Sequence, residues 1–359
     1  CHGGIAISRG VLKRTIEFGA IPATRGEFTK IAFMNGKMSL SSCEGLIDMI
    51  NSESVGEVKA GYYLYREKLC AKIKALQDKL TYALAYIDAG IDYPEGVTED
   101  NYDVIKTTLE EVKNETSSII GKYGAGRKIK NGVKVAILGK PNAGKSSLLN
   151  RLLDYDKAIV SSVAGTTRDA VEGEIDIDGV KFIFSDTAGI RESDDEIENA
   201  GIERSLKILN SADVCLVVLD GSVKTDADDK KILAETENRE RIVVINKTDL
   251  GTNCDVKGDV SISAKNGDGI DELKKSLVEK AFGGEIDLGA DFLTEERHLV
   301  ALKEALDSVN DAVESFSVNT ADLSSIDIRN AWLAFGKISG ETADEAIIDE
   351  IFAKFCVGK

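Results

Sequence analysis

Three prolines in 359 residues and an aromatic content of 6% are the first scarcities of this sequence. With long stretches rich in Leu, Lys, Glu and Ala, they exclude collagen-like and disordered classes and lean toward helix through much of the chain. No stretch approaches the roughly 18 consecutive apolar residues of a membrane span, and the first residues show neither a basic n-region nor an apolar h-region. A soluble, cytoplasmic protein with no membrane contact is expected. The only imidazoles are His2 and His298, and the cysteines at 1, 43, 70, 215, 254 and 356 form no C-x-x-C pair. Neither a zinc site nor a disulfide framework is expected, and reduced thiols are the default. An initiator Met is also lacking at Cys1-His2-Gly3-Gly4, so a fragment or processed chain is expected, with part of its first domain absent.

What is present is acidic. A formal charge of −17 opposes broad, sequence-independent binding to a phosphate backbone. The surplus is uneven, because residues 1–37 hold Arg9, Lys13, Arg14, Arg25, Lys30 and Lys37 against Glu17 and Glu27, a local net of +4 that leaves −21 elsewhere. An anionic ligand would favour this piece, although a solvated basic face explains the charge equally well.

At this length two or three domains are expected. Residues 40–87 read as helical, and Leu69, Ile73, Leu76, Leu80, Leu84 and Ile87 fall on one helix face. Gly90, Pro94 and Gly96 break the pattern over 88–98, a further helix covers 101–123, and 124–130 reads as a linker. Composition then changes. Apolar β-rich runs at 133–138, 171–177, 180–185, 214–220, 242–246 and 259–263 alternate with helical stretches. That pattern predicts a doubly wound α/β domain with a mostly parallel sheet. Past Gly283-Gly284, Leu299, Leu302, Leu306, Val309, Val313 and Phe316 form another helical stripe, read as core packing. The economical architecture is an α/β P-loop domain inserted into an α-helical bundle domain built from both flanks.

The chemistry begins at Gly139-Lys140-Pro141-Asn142-Ala143-Gly144-Lys145-Ser146, which matches G-x-x-x-x-G-K-S between a buried strand and the helical run from Ser147. Backbone N–H groups of such a loop surround phosphates, Lys145 reaches the β- and γ-phosphates, and the Ser146 hydroxyl ligates Mg²⁺. Downstream, Asp186-Thr187-Ala188-Gly189 ends a strand, so Asp186 can hold Mg²⁺ through water and the Gly189 N–H can sense the γ-phosphate. Asn246-Lys247-Thr248-Asp249 follows another strand. The Asp249 carboxylate can accept from guanine N1–H and its exocyclic amine, whereas adenine offers an acceptor at N1 and no 2-amino group. Ser263-Ala264-Lys265 supplies a backbone N–H for the base carbonyl and a Lys stem against the ring. In this order the four groups predict a site for GTP and GDP.

A first switch is expected over 159–169, where Ser161, Ser162, Ala164 and Gly165 permit close backbone approach. One threonine completes the Mg²⁺ shell, Thr167 being preferred over Thr166. The second switch is notable for an absence. Many regulatory GTPases carry a water-orienting Gln directly after D-x-x-G, but Ile190 stands there and cannot polarise water. A carboxylate among Glu192, Asp194, Asp195, Glu196 and Glu198 can take that task, and the residues alone leave the choice open.

Across nearly its whole length the chain resembles the MnmE (TrmE) family of tRNA-modification GTPases. Beyond the nucleotide motifs, the resemblance rests on Cys1-His2-Gly3-Gly4, on Gly26-Glu27-Phe28-Thr29-Lys30 with Ala32-Phe33-Met34-Asn35-Gly36-Lys37, and on the terminal Phe355-Cys356-Val357-Gly358-Lys359. It implies an α+β folate-binding, dimerising amino-terminal domain, of which 1–37 is the remainder. It also implies a helical domain from 38–130 and 284–359, and a G domain over 131–283. It implies G domains that pair across their switches with K⁺ held by Asn142 and by the first switch, here Ser161, Val163 and Thr166, in the role of an arginine finger. Glu198 becomes the water-orienting residue. The resemblance further implies a homodimer that joins a flavin-dependent partner, MnmG (GidA), in a heterotetramer to install an aminomethyl or carboxymethylaminomethyl group on the tRNA wobble uridine. tRNA is met largely through that partner. The one-carbon unit comes from a tetrahydrofolate derivative, with Cys356 near that chemistry and Arg9, Arg14, Arg25 and Lys359 as candidate folate contacts. The rival reading is a ribosome-assembly GTPase with nucleotide-gated RNA binding. Such proteins usually append a basic module, whereas the carboxy-terminal region here is acidic and helical.

Overall fold

A computed structural model describes the chain except residues 1–3, 93–98, 156–172, 187–207, 285, 290, 318–320 and 358–359, and at a few element ends, Asp186 included, it describes backbone alone. The chain divides into two compact units, one from Cys1–Asn51, Lys59–Tyr123 and Asp291–Lys359, the other from Ser52–Val58 and Gly124–Ala290.

In the first unit, α5 (Lys68–Asp92), α6 (Glu99–Gly121), α11 (Glu296–Ser317) and α12 (Ala321–Ser339) pack in a ring, each against two of the others. Sequence spacing explains the contact. Leu69, Ile73, Leu76, Leu80 and Ile87 from α5 are buried with Leu109 and Val112 of α6, Leu302 and Val309 of α11, and Ile328 and Phe335 of α12. Leu84, Leu299 and Val313 pack at the margin of this core. A smaller cluster joins α2 (Glu27–Met34), α3 (Leu40–Asn51) and α13 (Glu345–Ala353) through Phe33, Leu40, Cys43, Phe352 and Phe355. Residues 4–37 contribute α1 (Ile5–Glu17), none of whose residues is buried, and α2. A buried charged cluster is among the ties that cross this unit. Arg297 holds Glu44 with Nε at 2.9 Å and Nη2 at 2.7 Å, and the His298 Nε2 lies 2.9 Å from the same carboxylate.

Two readings of local structure differ from what is observed. Helix α5 runs on to Asp92, past the expected break at 88. Residues 124–130, read as a linker, instead belong to helix α7 (Tyr123–Asn131). Glycines at 124 and 126 disfavour helix, but tertiary contacts outweigh propensity here: Ile129 is fully buried and the Lys128 ammonium donates to the Ala281 carbonyl at 2.6 Å.

The second unit holds a six-stranded sheet in the order β2-β3-β1-β4-β5-β6. Its strands are β1 (Val133–Leu138), β2 (Gly173–Ile177), β3 (Val180–Asp186), β4 (Val214–Asp220), β5 (Arg241–Asn246) and β6 (Val260–Ser261). Only β2 runs antiparallel, as an edge strand with alternating burial, whereas β4 and β5 are almost continuously buried. Apolar runs of that kind need cover on both faces, which crossover helices such as α8 (Lys145–Tyr155), α9 (Ala227–Glu235) and α10 (Ile270–Phe282) provide. The chain adds β3 on one side of β1 and β4 on the other. The carboxyl end of β1 is therefore the switch point where such sheets open a crevice for ligand.

Candidate nucleotide site

The glycine-rich loop leaves β1 at that crevice. Gly139 (φ 149°) and Gly144 (φ 95°) adopt backbone closed to most side chains. Space is also closed: a Cβ on Gly139 would lie 2.4 Å from the Val218 carbonyl oxygen, and one on Gly144 would lie 2.2 Å from Asn246 Nδ2. Asn142 sits exposed at the loop tip in left-handed conformation, φ 64°. Helix α8 then starts at Lys145, so its first N–H groups face the loop, with Ser146 and Ser147 exposed beside them. Lys145 is buried, its ammonium donating to the carbonyls of Gly139 at 3.0 Å and Lys140 at 2.9 Å. A cation is thus held over a ring of main-chain amides, which is an anion-binding arrangement.

Three loops from other strand ends meet this one. Asn246, at the end of β5, donates from Nδ2 to the Ala143 carbonyl at 2.9 Å and accepts from the Ala264 N–H at 3.0 Å. One buried carboxamide thereby ties the phosphate loop to the 263–265 loop. Asp249 lies exposed on a 3₁₀ turn, Thr248–Leu250, and accepts from the Ser263 hydroxyl at 2.8 Å. Lys265 is exposed next to it. Lys247, in left-handed backbone, places its ammonium 2.6 Å from Asp220 Oδ2. Burial pushes the Asp220 carboxyl up, but hydrogen bonds from Lys247 and Ser222 outweigh it and hold the group below the usual carboxylate range. Asp186 closes β3 in register with Ile137 of β1, at the same edge of the sheet.

Several groups here escaped the sequence reading. Asp220 ends the apolar run of β4, a position at the strand's carboxyl end that could have flagged it. Lys140, an unspecified position of the loop motif, is pinned by Asp226 at 2.6 Å and Asp229 at 2.9 Å, at the capping box that opens α9. Those bonds raise the Lys140 ammonium further above its ordinary range. Arg151 reaches the carbonyls of Ala264 and Lys265, and no sequence signal announces that contact.

Other expected site residues lie outside the described residues: Ser161, Val163, Thr166, Thr167, Thr187, Ala188, Gly189, Glu198 and Lys359. In the other unit, Cys356 is exposed, and its carbonyl accepts from the Gly26 N–H at 3.3 Å while Arg25 bridges to Val357. Beside it a cavity of about 650 Å³ is lined by Arg25, Lys30, Met34, Asn35, Asp349 and Phe352. Of the other candidate folate contacts, Arg14 pairs with Glu17 at 2.9 Å along α1, and Arg9 is exposed on the same helix.

A glycine-rich loop at a strand tip, a buried Lys and an exposed carboxylate on the 248–250 turn fit one class: this is a P-loop GTPase, which binds guanine nucleotide and hydrolyses GTP. A family model described as the MnmE helical domain matches residues 40–356. Over its full length the chain is 36% identical to the tRNA modification GTPase MnmE of Natranaerobius thermophilus, covering 81% of that protein, and 38% identical to that of Acetivibrio thermocellus, again covering 81%. The chain belongs to the MnmE family of tRNA modification GTPases. Among solved structures, Aquifex aeolicus Era bound to GDP and AlF4⁻ is similar at 31% identity over 48% of this chain and 65% of that one. The TM-score of that match, 0.33, is too low to carry over any geometry.

Proposed function

We propose that this GTPase drives modification of the tRNA wobble uridine as a cytoplasmic homodimer, together with a flavin-dependent MnmG (GidA) partner in a heterotetramer. The product is an aminomethyl or carboxymethylaminomethyl uridine. tRNA is met largely through the partner, in keeping with a chain of net charge −17. A tetrahydrofolate derivative supplies the carbon unit near Cys356, with Arg9, Arg14, Arg25 and Lys359 as contacts to its acidic tail. Arg25 is supported by its place beside both Val357 and the neighbouring cavity.

In the G domain, the Lys145 ammonium offsets charge building on the β- and γ-phosphate oxygens, where a preorganised donor lowers the barrier most. The Ser146 hydroxyl, exposed at the start of α8, suits a hard cation such as Mg²⁺. Thr167 and Asp186, the latter through water, would complete its set of ligands. The exposed Asn142 carboxamide at the loop tip suits K⁺, joined by groups of Ser161, Val163 and Thr166. Bound there, the two cations supply electrostatic stabilisation of the transferring phosphoryl group. Glu198 orients the attacking water, and the apolar Ile190 leaves that task to it.

The observation that carries this reading is the single network joining Ala143, Asn246, Ala264, Ser263 and Asp249 in a chain so similar to tRNA modification GTPases. The test is GTP turnover by the purified protein in K⁺ and in Na⁺, beside wobble-uridine analysis in cells lacking it. Faster turnover in K⁺ and hypomodified uridine are expected. Equal rates defeat the potassium assignment, and intact uridine modification defeats the tRNA role.

A further inference from the structure

Arg151 lies six residues beyond Lys145 on α8, the helix that opens at the phosphate loop. Its Nε donates to the Ala264 carbonyl at 2.9 Å, and its Nη2 donates to the next carbonyl, that of Lys265. A planar guanidinium gripping two consecutive carbonyls fixes two peptide planes at once.

In a trans peptide the C=O and the following N–H point in opposite directions. Holding the Ala264 carbonyl on the α8 side therefore turns the Lys265 N–H away from α8. Holding the Lys265 carbonyl likewise aims the Asn266 N–H, which donates to Ser263 Oγ at 3.2 Å. That hydroxyl in turn donates to Asp249 Oδ1 at 2.8 Å. A chain of fixed hydrogen bonds thus runs from the phosphate-loop helix to the Asp249 carboxylate. Asn246 makes the only other tie described above between the phosphate loop and the 263–265 loop, and it acts on the N–H of Ala264, leaving the carbonyls to Arg151.

We propose that Arg151 is a positioning residue for guanine recognition, acting through the 263–266 loop on both the base-carbonyl contact and Asp249. The proposal rests on the reading of Asp249 and 263–265 as the base-reading groups. It makes this helix a single lever under both halves of the nucleotide, with phosphates at its first turn and base at its second.

The experiment is equilibrium titration of the full chain with GDP and with inosine diphosphate, which keeps the 6-carbonyl and lacks the 2-amino group, alongside steady-state GTP turnover. For Arg151→Ala, GDP affinity is expected to fall by about tenfold, the scale of a lost charge-assisted contact. The preference for GDP over inosine diphosphate narrows, because Asp249 is no longer held. KM rises while kcat at saturating GTP stays unchanged, since the reacting phosphates keep their loop. Arg151→Lys, with a single ammonium, restores part of the affinity. An unchanged GDP affinity, or an equal loss for both nucleotides with their ratio intact, overturns the proposal and leaves Arg151 a plain structural clamp. If Arg151→Ala does not fold, Arg151→Gln and Arg151→Lys carry the same comparison. Absence of GDP binding by the unaltered chain would instead overturn the reading of the site itself.

Discussion

On the proposed reading of the site, base choice depends on Asp249, and its chemistry sets a prediction. A carboxylate offers two acceptors to guanine N1–H and the 2-amine, whereas a carboxamide offers one acceptor and one donor, matching xanthine with its 2-carbonyl. Asp249→Asn should weaken GDP binding by about a hundredfold or more and raise affinity for xanthosine diphosphate, read by competition between the two. Glu44 plays the corresponding part in the helical unit. Burial pushes its carboxyl up, but His298 and Arg297 outweigh burial and bring it from 4.5 down to about 2. A carboxyl depressed on folding contributes stability that is present above the unfolded value and lost as pH falls toward the folded one. Glu44 is 7% exposed, so the shift is converted with little screening to a contribution of about 3 kcal/mol at neutral pH. Glu44→Gln should therefore lower denaturant stability of this unit by about that amount at pH 7. It should also flatten the loss of stability between pH 4.5 and 2, as urea titrations across that range will read.

The elements of the G domain were legible because buried parallel strands must be apolar along their whole length. The runs at 133–138 and 214–220 coincide with β1 and β4 for that reason. In α5 the three-and-four spacing likewise maps onto core positions, since a 3.6-residue period turns them to one side. The helix over 123–131 was not legible. Its two glycines argue locally against helix, and tertiary contacts overrule them: Ile129 burial, the Lys128 bond to Ala281 and the Arg127 ion pair with Asp213. At the loop before α8, motif and geometry agree on glycine at 144. Gly144→Ala adds a Cβ 2.2 Å from Asn246 Nδ2 at a positive φ, so the amide that joins phosphate loop to base loop must shift. GDP binding should weaken by at least about tenfold, while circular dichroism shows the fold retained.

At the scale of the whole molecule, one compact unit is assembled from three separate stretches of chain and the other from the two stretches that alternate with them in the sequence. Each has its own core, so ligand energy enters only one of them. Saturating GDP, at a hundredfold over its Kd, should add about 2.7 kcal/mol to the unfolding of the G-domain unit alone. Calorimetry should then show one transition moving and a second holding still. A single transition that shifts as a whole would contradict separate cores. The sequence by itself determined the chemical vocabulary: a phosphate-loop motif, the N-K-T-D and S-A-K motifs, and apolar periods that divide strand from helix. These are local patterns, readable because each motif lies within a few consecutive residues. Tertiary structure alone decided which distant groups meet. Glu44 finds Arg297 across 253 positions, and Arg151 finds Ala264 across 113. Both arginines look like solvated helix residues in the sequence, because what a guanidinium bonds is set by what the fold brings within 3 Å of it, and chain distance carries no record of that.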